Sequence, residues 1–251
     1  MTVKNDFSLP WISLCGVGRG LVVQSLTYPL EVIKTHQQAL LSQERSYQIA
    51  WRLFQQSGVR SFYLGLTPQL VRSCCNQAWC WPMMTKIPLL LEGSSPAVQQ
   101  AMTGLAIATV GACVTTPLEK ARIQWALEKP FSWKKGWNGI GIHWTKLSAG
   151  WCTFLVAQEG LRKRYYISSG KQTLPLSQSV LIGVQVALIV SVTSAPFDVA
   201  NTLKQSESLR LRVLFSGNIL RKMFRGWPLN AATLVVHNTT SVALLDRLRK
   251  N

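Results

Sequence analysis

The stretch Thr27–Gln38 reads Thr-Tyr-Pro-Leu-Glu-Val-Ile-Lys-Thr-His-Gln-Gln and follows an apolar segment long enough to cross a bilayer. It sets a helix-kinking proline, Pro29, beside an acid, Glu31, and a base, Lys34. The pattern returns twice. Thr115–Gln124 reads Thr-Thr-Pro-Leu-Glu-Lys-Ala-Arg-Ile-Gln, and Ser194–Asn201 reads Ser-Ala-Pro-Phe-Asp-Val-Ala-Asn. Intramembrane charge is costly, and three copies of so costly an arrangement imply a repeated structural unit.

Working outward, a glycine stands thirteen residues before each proline: Gly16 before Pro29, Gly104 before Pro117, Gly183 before Pro196. Downstream, Gly65, Gly150 and Gly226 are expected to open the helix that follows, 36, 33 and 30 residues after the prolines. Apolar segments near 8–36, 67–91, 97–125, 150–168, 176–205 and 227–247 are each long enough to span a hydrocarbon layer of ~30 Å. The reading is an all-α membrane protein with six transmembrane helices in a threefold pseudo-symmetric barrel. Residues 1–251 form a single membrane domain of three repeats, 8–92, 97–172 and 176–249. The glycines let neighbouring backbones approach closely, and the prolines kink the odd-numbered helices so that they converge at one end.

Composition agrees. Only 15% of the 251 residues are charged, 47% are hydrophobic, ten are tryptophan, and mean hydropathy is +0.14. The net charge of +17 could serve nucleic acid or anionic lipid. Most bases lie between the apolar segments or at the termini, including Arg45, Arg52, Arg60, Lys129, Lys134, Lys135, Lys146, Arg210, Arg212, Arg221, Lys222 and Arg225. That placement suits headgroups and argues against a nucleic-acid partner. The six cysteines show no Cys-x-x-Cys spacing and read as buried small hydrophobes. Met1–Leu9 is too short and polar for a secretory signal.

Away from the connections, termini and helix ends six bases remain: Arg19, Lys34, Arg72, Lys120, Arg122 and Lys204. Glu31 and Lys34, like Glu119 and Arg122, are three residues apart and share a helix face. They could pair locally, or meet across kinked helices as the threefold register suggests. Asp198 keeps the acid, but Asn201 stands where a base is expected.

This motif, in three two-helix units, resembles the mitochondrial carrier family of solute transporters, over nearly the whole chain. Gly58–Arg72, Gly-Val-Arg-Ser-Phe-Tyr-Leu-Gly-Leu-Thr-Pro-Gln-Leu-Val-Arg, is similar to that family's link into an even-numbered helix. The resemblance implies alternating access to a central cavity. A matrix-side gate would pair Glu31 with Arg122 and Asp198 with Lys34, Gln38 bracing it, while Glu119 finds Asn201 or, one turn on, Lys204. On the other side, Asp246 and Arg249 fit the family's acid-x-x-base pattern. The corresponding positions after Gly65 and Gly150 read Thr85-Lys86-Ile87-Pro88 and Gly170-Lys171-Gln172-Thr173 and lack the acid, so this cytoplasmic gate is expected to be the weaker.

The family's substrate contacts fall seven or eight residues after each link glycine, which selects Arg72, Ala157-Gln158 and Thr233. Helical spacing extends these faces to Asn76 and Cys80, to Leu161, Arg162 and Tyr165, and to His237 and Ser241. Gln24 lies about two turns before Glu31 and points the same way. An unpaired Arg72 guanidinium would hold carboxylate or phosphate with its planar fork. His237 and the hydroxyls could equally serve as helix-packing hydrogen-bond partners. Arg19, about 140° around the helix from Gln24, is expected to miss the cavity.

The expected function is transport of a small anionic metabolite, with nucleotide-like substrates favoured by the small residue Ala157 and by Trp79 and Trp81. The alternative is a carrier-derived, non-transporting membrane adaptor, suggested by the missing third base and missing acids. No phosphate loop, metal-spaced His/Cys cluster or Ser-His-acid arrangement points to an enzyme. The expectations are a multi-pass monomer of the mitochondrial inner membrane, needing no cofactor and contacting cardiolipin or another anionic lipid.

Overall fold

The computed structural model describes residues 9–39, 44–170, 175–207, 214 and 218–250, excepting the side chains of 9, 10, 12 and 243–250. Among these the chain is helical, without a strand. The helices are α1 (Leu9–Ala39), α2 (Ser46–Ser57), α3 (Leu66–Leu90), α4 (Pro96–Ala126), α5 (Ile140–Ser169), α6 (Leu176–Ser206), α7 (Ile219–Met223) and α8 (Trp227–Lys250). Six are long, and they touch in the order α1, α3, α4, α5, α6, α8 and back to α1.

Burial is inverted relative to a water-soluble bundle. Leu26 is 73% exposed and Leu181 56%, whereas Glu119 and Asn201 are 0% exposed. Outward faces carry Val22, Val71, Leu188, Ile189, Val192 and Val236; the interior carries Gln24, Thr27, Lys34, Arg122 and Asp198. A ring of helices with an apolar outside and a polar inside suits lipid around a water-accessible interior. By length and composition, α4 and α6 are apolar enough to cross a membrane. The other long helices fall short of the apolar expectation because interior charges such as Arg19, Glu31, Lys34, Arg72 and Lys146 sit on them.

Pro29, Pro117 and Pro196 lie inside α1, α4 and α6, which continue through them. A proline at position i frees the carbonyl at i−4. At Pro117 that carbonyl, Cys113 O, accepts a hydrogen bond from Trp137 Nε1 at 3.0 Å. The glycines of the odd helices are contact points. A Cβ on Gly183 would meet Thr239 Cα at 2.6 Å, one on Gly104 Cys152 N at 2.8 Å, and one on Gly16 the Trp81 ring.

The second link glycine is not where the sequence suggested. Gly150 lies inside α5, whereas Gly139, at φ +101, caps the N-terminus of that helix. Gly139 is thus the counterpart of Gly65 at φ +83 before α3 and Gly226 at φ +74 before α8. Each of these left-handed glycines abuts the next proline-bearing helix, where a side chain would collide. Gly65 faces Arg122 O, Gly139 faces Lys204 Cγ, and Gly226 faces Lys34 Cγ. The second connection is therefore eleven residues shorter than expected, and Lys146 belongs to α5 rather than to a headgroup-facing loop.

Candidate functional site: a charged ring under a central cavity

At the C-terminal ends of α1, α4 and α6 three carboxylates meet four bases. Arg122 Nη1 donates to Glu31 Oε2 at 3.1 Å, and its Nε and Nη2 hold both oxygens of Glu119, each at 3.1 Å. Arg122 thus makes the local pair and the cross-helix pair together. Lys34 turns instead to Asp198, 3.0 Å away, and donates to Asn230 Oδ1 at 3.0 Å. Gln24 Nε2 donates to Glu31 Oε1 at 3.1 Å. Gln38 Nε2 donates to Asp198 Oδ2 at 3.1 Å, while Gln38 Oε1 accepts from Thr202 Oγ1 at 2.8 Å. The glutamine so ties α1 to α6.

On the third side, Asn201 Nδ2 reaches Glu119 Oε1 only at 3.4 Å, a weak bond. Lys204 makes no ion pair among the described residues; it lies by Gly139. The base comes from α5. Lys146 Nζ stands 3.0 Å from Glu119 Oε1 and 2.8 Å from Asp198 Oδ1, bridging α4 and α6. Counting from Gly139 explains its place. Lys146 is seven residues beyond its left-handed glycine, as Arg72 is beyond Gly65 and Thr233 beyond Gly226.

Above the ring lies a cavity of about 270 Å³ lined by Arg72, Lys146, Thr233, Gln24, Asn76, His237 and Ser241, together with the ring itself. Arg72 is not unpaired: its Nε donates to Gln69 Oε1 at 2.9 Å and lies 3.4 Å from Glu119 Oε2. His237 Nε2 is 3.3 Å from Thr27 Oγ1. Ala157, Gln158 and Arg162 do not line the cavity: α5 starts after Gly139 rather than Gly150, so they lie beyond Phe154, where its lining residues on that helix end. Ala157, Leu161 and Tyr165 pack on an apolar cluster with buried Cys80, and Gln158 and Arg162 are buried. Trp81 lines the cavity but Trp79 packs on that cluster, while Trp151 was not anticipated. Arg19 does reach the cavity wall. Its Nη1 donates to His237 O and Thr240 Oγ1, each at 3.0 Å, since a long side chain can go where the direction of its Cα does not point.

Residues 8–95, covering α1 to α3, match the family model for the mitochondrial carrier protein. The chain carries a mitochondrial carrier domain. The match supports membership of the mitochondrial carrier family, whose members are solute transporters. The carrier domain contributes Glu31, Lys34, Gln38 and Arg72 to the ring and cavity. The remaining groups come from α4, α5, α6 and α8.

The register set by Gly139 also bears on the opposite end. The acid-x-x-base pattern twenty residues after a link glycine now reads Glu159-Gly160-Leu161-Arg162 in α5, matching Asp246 and Arg249 after Gly226. Counted from Gly139, the second unit thus offers an acid at that spacing, Glu159, with Arg162 three residues on. The side chains of Asp246 and Arg249 lie outside the described residues, as do residues 171–173 and Arg210 and Arg212.

Proposed function

We propose that the chain is a six-helix, threefold pseudo-symmetric carrier of the mitochondrial inner membrane. It moves a small anionic metabolite by alternating access, with the ring of Glu31, Lys34, Glu119, Arg122, Lys146 and Asp198 as its matrix-side closure. One observation carries this reading: five cations (Arg19, Lys34, Arg72, Arg122, Lys146) line the cavity against three carboxylates (Glu31, Glu119, Asp198). A buried excess of positive charge is costly unless an anion joins it. Arg72 and Lys146 are the cations on the cavity side of the ring, their side chains 21% and 20% exposed against 4% for Arg122.

The nucleotide preference no longer draws on Ala157. It rests on the aromatic wall of Trp81, Trp151 and Phe154, against which a planar base could stack. The adaptor reading loses part of its support, since Lys146 gives Glu119 a base and Glu159 is an acid in the second unit, although the first unit keeps Thr85 at that position. The test is uptake by purified protein in liposomes of nucleotides, carboxylates, amino acids and phosphate. Uptake of at least one anion, reduced at least tenfold by Arg72→Gln, is expected; no uptake of any of them would sink the proposal.

A further inference from the structure

Lys146 does two things at once. Its ammonium has three N–H donors. Two are committed, to Glu119 and Asp198, and the residue also forms part of the cavity wall. Arg72 is placed alike, 3.4 Å from Glu119 and on the same wall. The other two bases of the ring sit deeper, their side chains 4% and 8% exposed, and tie α1 to α4 and α1 to α6. Within the ring, α4 and α6 are joined only through Lys146 and the long Asn201 bond, among the described residues.

We propose that Lys146 is the third base of the closure, standing in for Asn201, and that an anion entering the cavity releases this closure by drawing Lys146 away from Glu119 and Asp198. The inference rests on the anion-carrier reading. Physically, the anion and the two carboxylates compete for one ammonium. Capturing the third N–H costs nothing in the ring, but full capture leaves Glu119 and Asp198 repelling each other across the α4–α6 seam. A base fixed on α6 at position 201 would close the same seam without facing that competition. Substrate occupancy would thereby be coupled to opening through a single side chain.

The experiment is hydrogen–deuterium exchange of the whole purified protein, following backbone amides in the C-terminal turns of α4 and α6. Inorganic phosphate, malate and ADP serve as probes. In the natural chain at least one probe should raise exchange there several-fold. Lys146→Met should raise it without any anion, and Lys146→Arg should behave as the natural chain does. The double variant Lys146→Met/Asn201→Lys should recover slow exchange and no longer respond to the probe. The proposal is overturned by slow exchange in Lys146→Met, by a natural chain unresponsive to all three probes, or by a double variant that stays fast or still opens. A liposome screen without uptake would sink the transport reading while leaving this exchange pattern standing, so the two failures are distinguishable.

Discussion

Asp198 accepts from Lys34, Lys146 and Gln38 at 3.0, 2.8 and 3.1 Å. Asp198→Asn leaves buried Lys34 without a carboxylate and Lys146 with Glu119 alone, and removing one partner of a buried pair costs about 3–5 kcal/mol. A clear fall in thermal midpoint of the purified protein is expected; an unchanged midpoint would mean that the ring contributes nothing to stability. Asn201→Lys in the otherwise natural chain gives the opposite of what the sequence alone suggests. Glu119 already faces Arg122, Lys146 and Arg72. A further lysine adds like charge to a satisfied acid, so the midpoint should fall, whereas in a Lys146→Met background the same change should raise it. At this scale the pairs Glu31–Arg122 and Lys34–Asp198 were readable only through the family resemblance, since the residues alone left local and cross-helix pairing open. Lys146 was not, because its part depends on where α5 begins.

That starting point is a matter of backbone conformation at one element boundary. Gly136, Gly139, Gly141 and Gly150 all offer themselves in sequence, and the left-handed φ of +101 separates Gly139 from the helical Gly150. A signal was present: Asn138-Gly139 is a turn dipeptide, and only a start at 139 puts Glu159-x-x-Arg162 in phase with Asp246-x-x-Arg249. Glycines that pack are distinguishable from those that do not. Gly183→Ala places a methyl 2.6 Å from Thr239 Cα, and such overpacking costs about 1–3 kcal/mol. Gly141→Ala meets nothing within 4 Å and should gain up to about 1 kcal/mol of helix propensity. Thermal unfolding of the two variants should move in opposite directions. At the end of α6, Lys120 Nζ donates to Glu207 Oε1 at 2.6 Å and holds that carboxyl below its ordinary range. With the folded value below the unfolded one, this contribution is present above the ordinary carboxylate pKa and is lost as pH falls through the folded value. The gap in stability between the natural chain and Glu207→Gln should therefore be steady near neutrality and vanish at low pH.

For the whole molecule, the inverted burial explains why helix content was legible while membrane crossing was only half legible from hydropathy. A helix lining a charged cavity spends its interior face on polar groups, so α1, α3, α5 and α8 dilute the apolar signal that α4 and α6 retain. The same geometry bears on the proposed alternation between the two ends of the molecule. The charged ring is formed at one end, and the acid-x-x-base positions of α5 and α8 lie toward the other. In the ring, the acid of one unit pairs with the base of the next: Glu31 with Arg122, and Asp198 with Lys34. If the same cyclic order holds at the opposite end, Glu159 of the second unit is the expected partner of Arg249 of the third, whose side chain lies outside the described residues. The first unit has Thr85 and Pro88 at the matching positions and offers no such pair. Reversing Glu159 to Lys should set two cations against each other and slow uptake by an order of magnitude or more, equivalent to at least ~1.4 kcal/mol. Adding Arg249→Glu should restore most of it by re-forming the pair in reverse. Uptake of a transported anion into liposomes reads both. Equal loss in the single and double variants would place the second closure elsewhere.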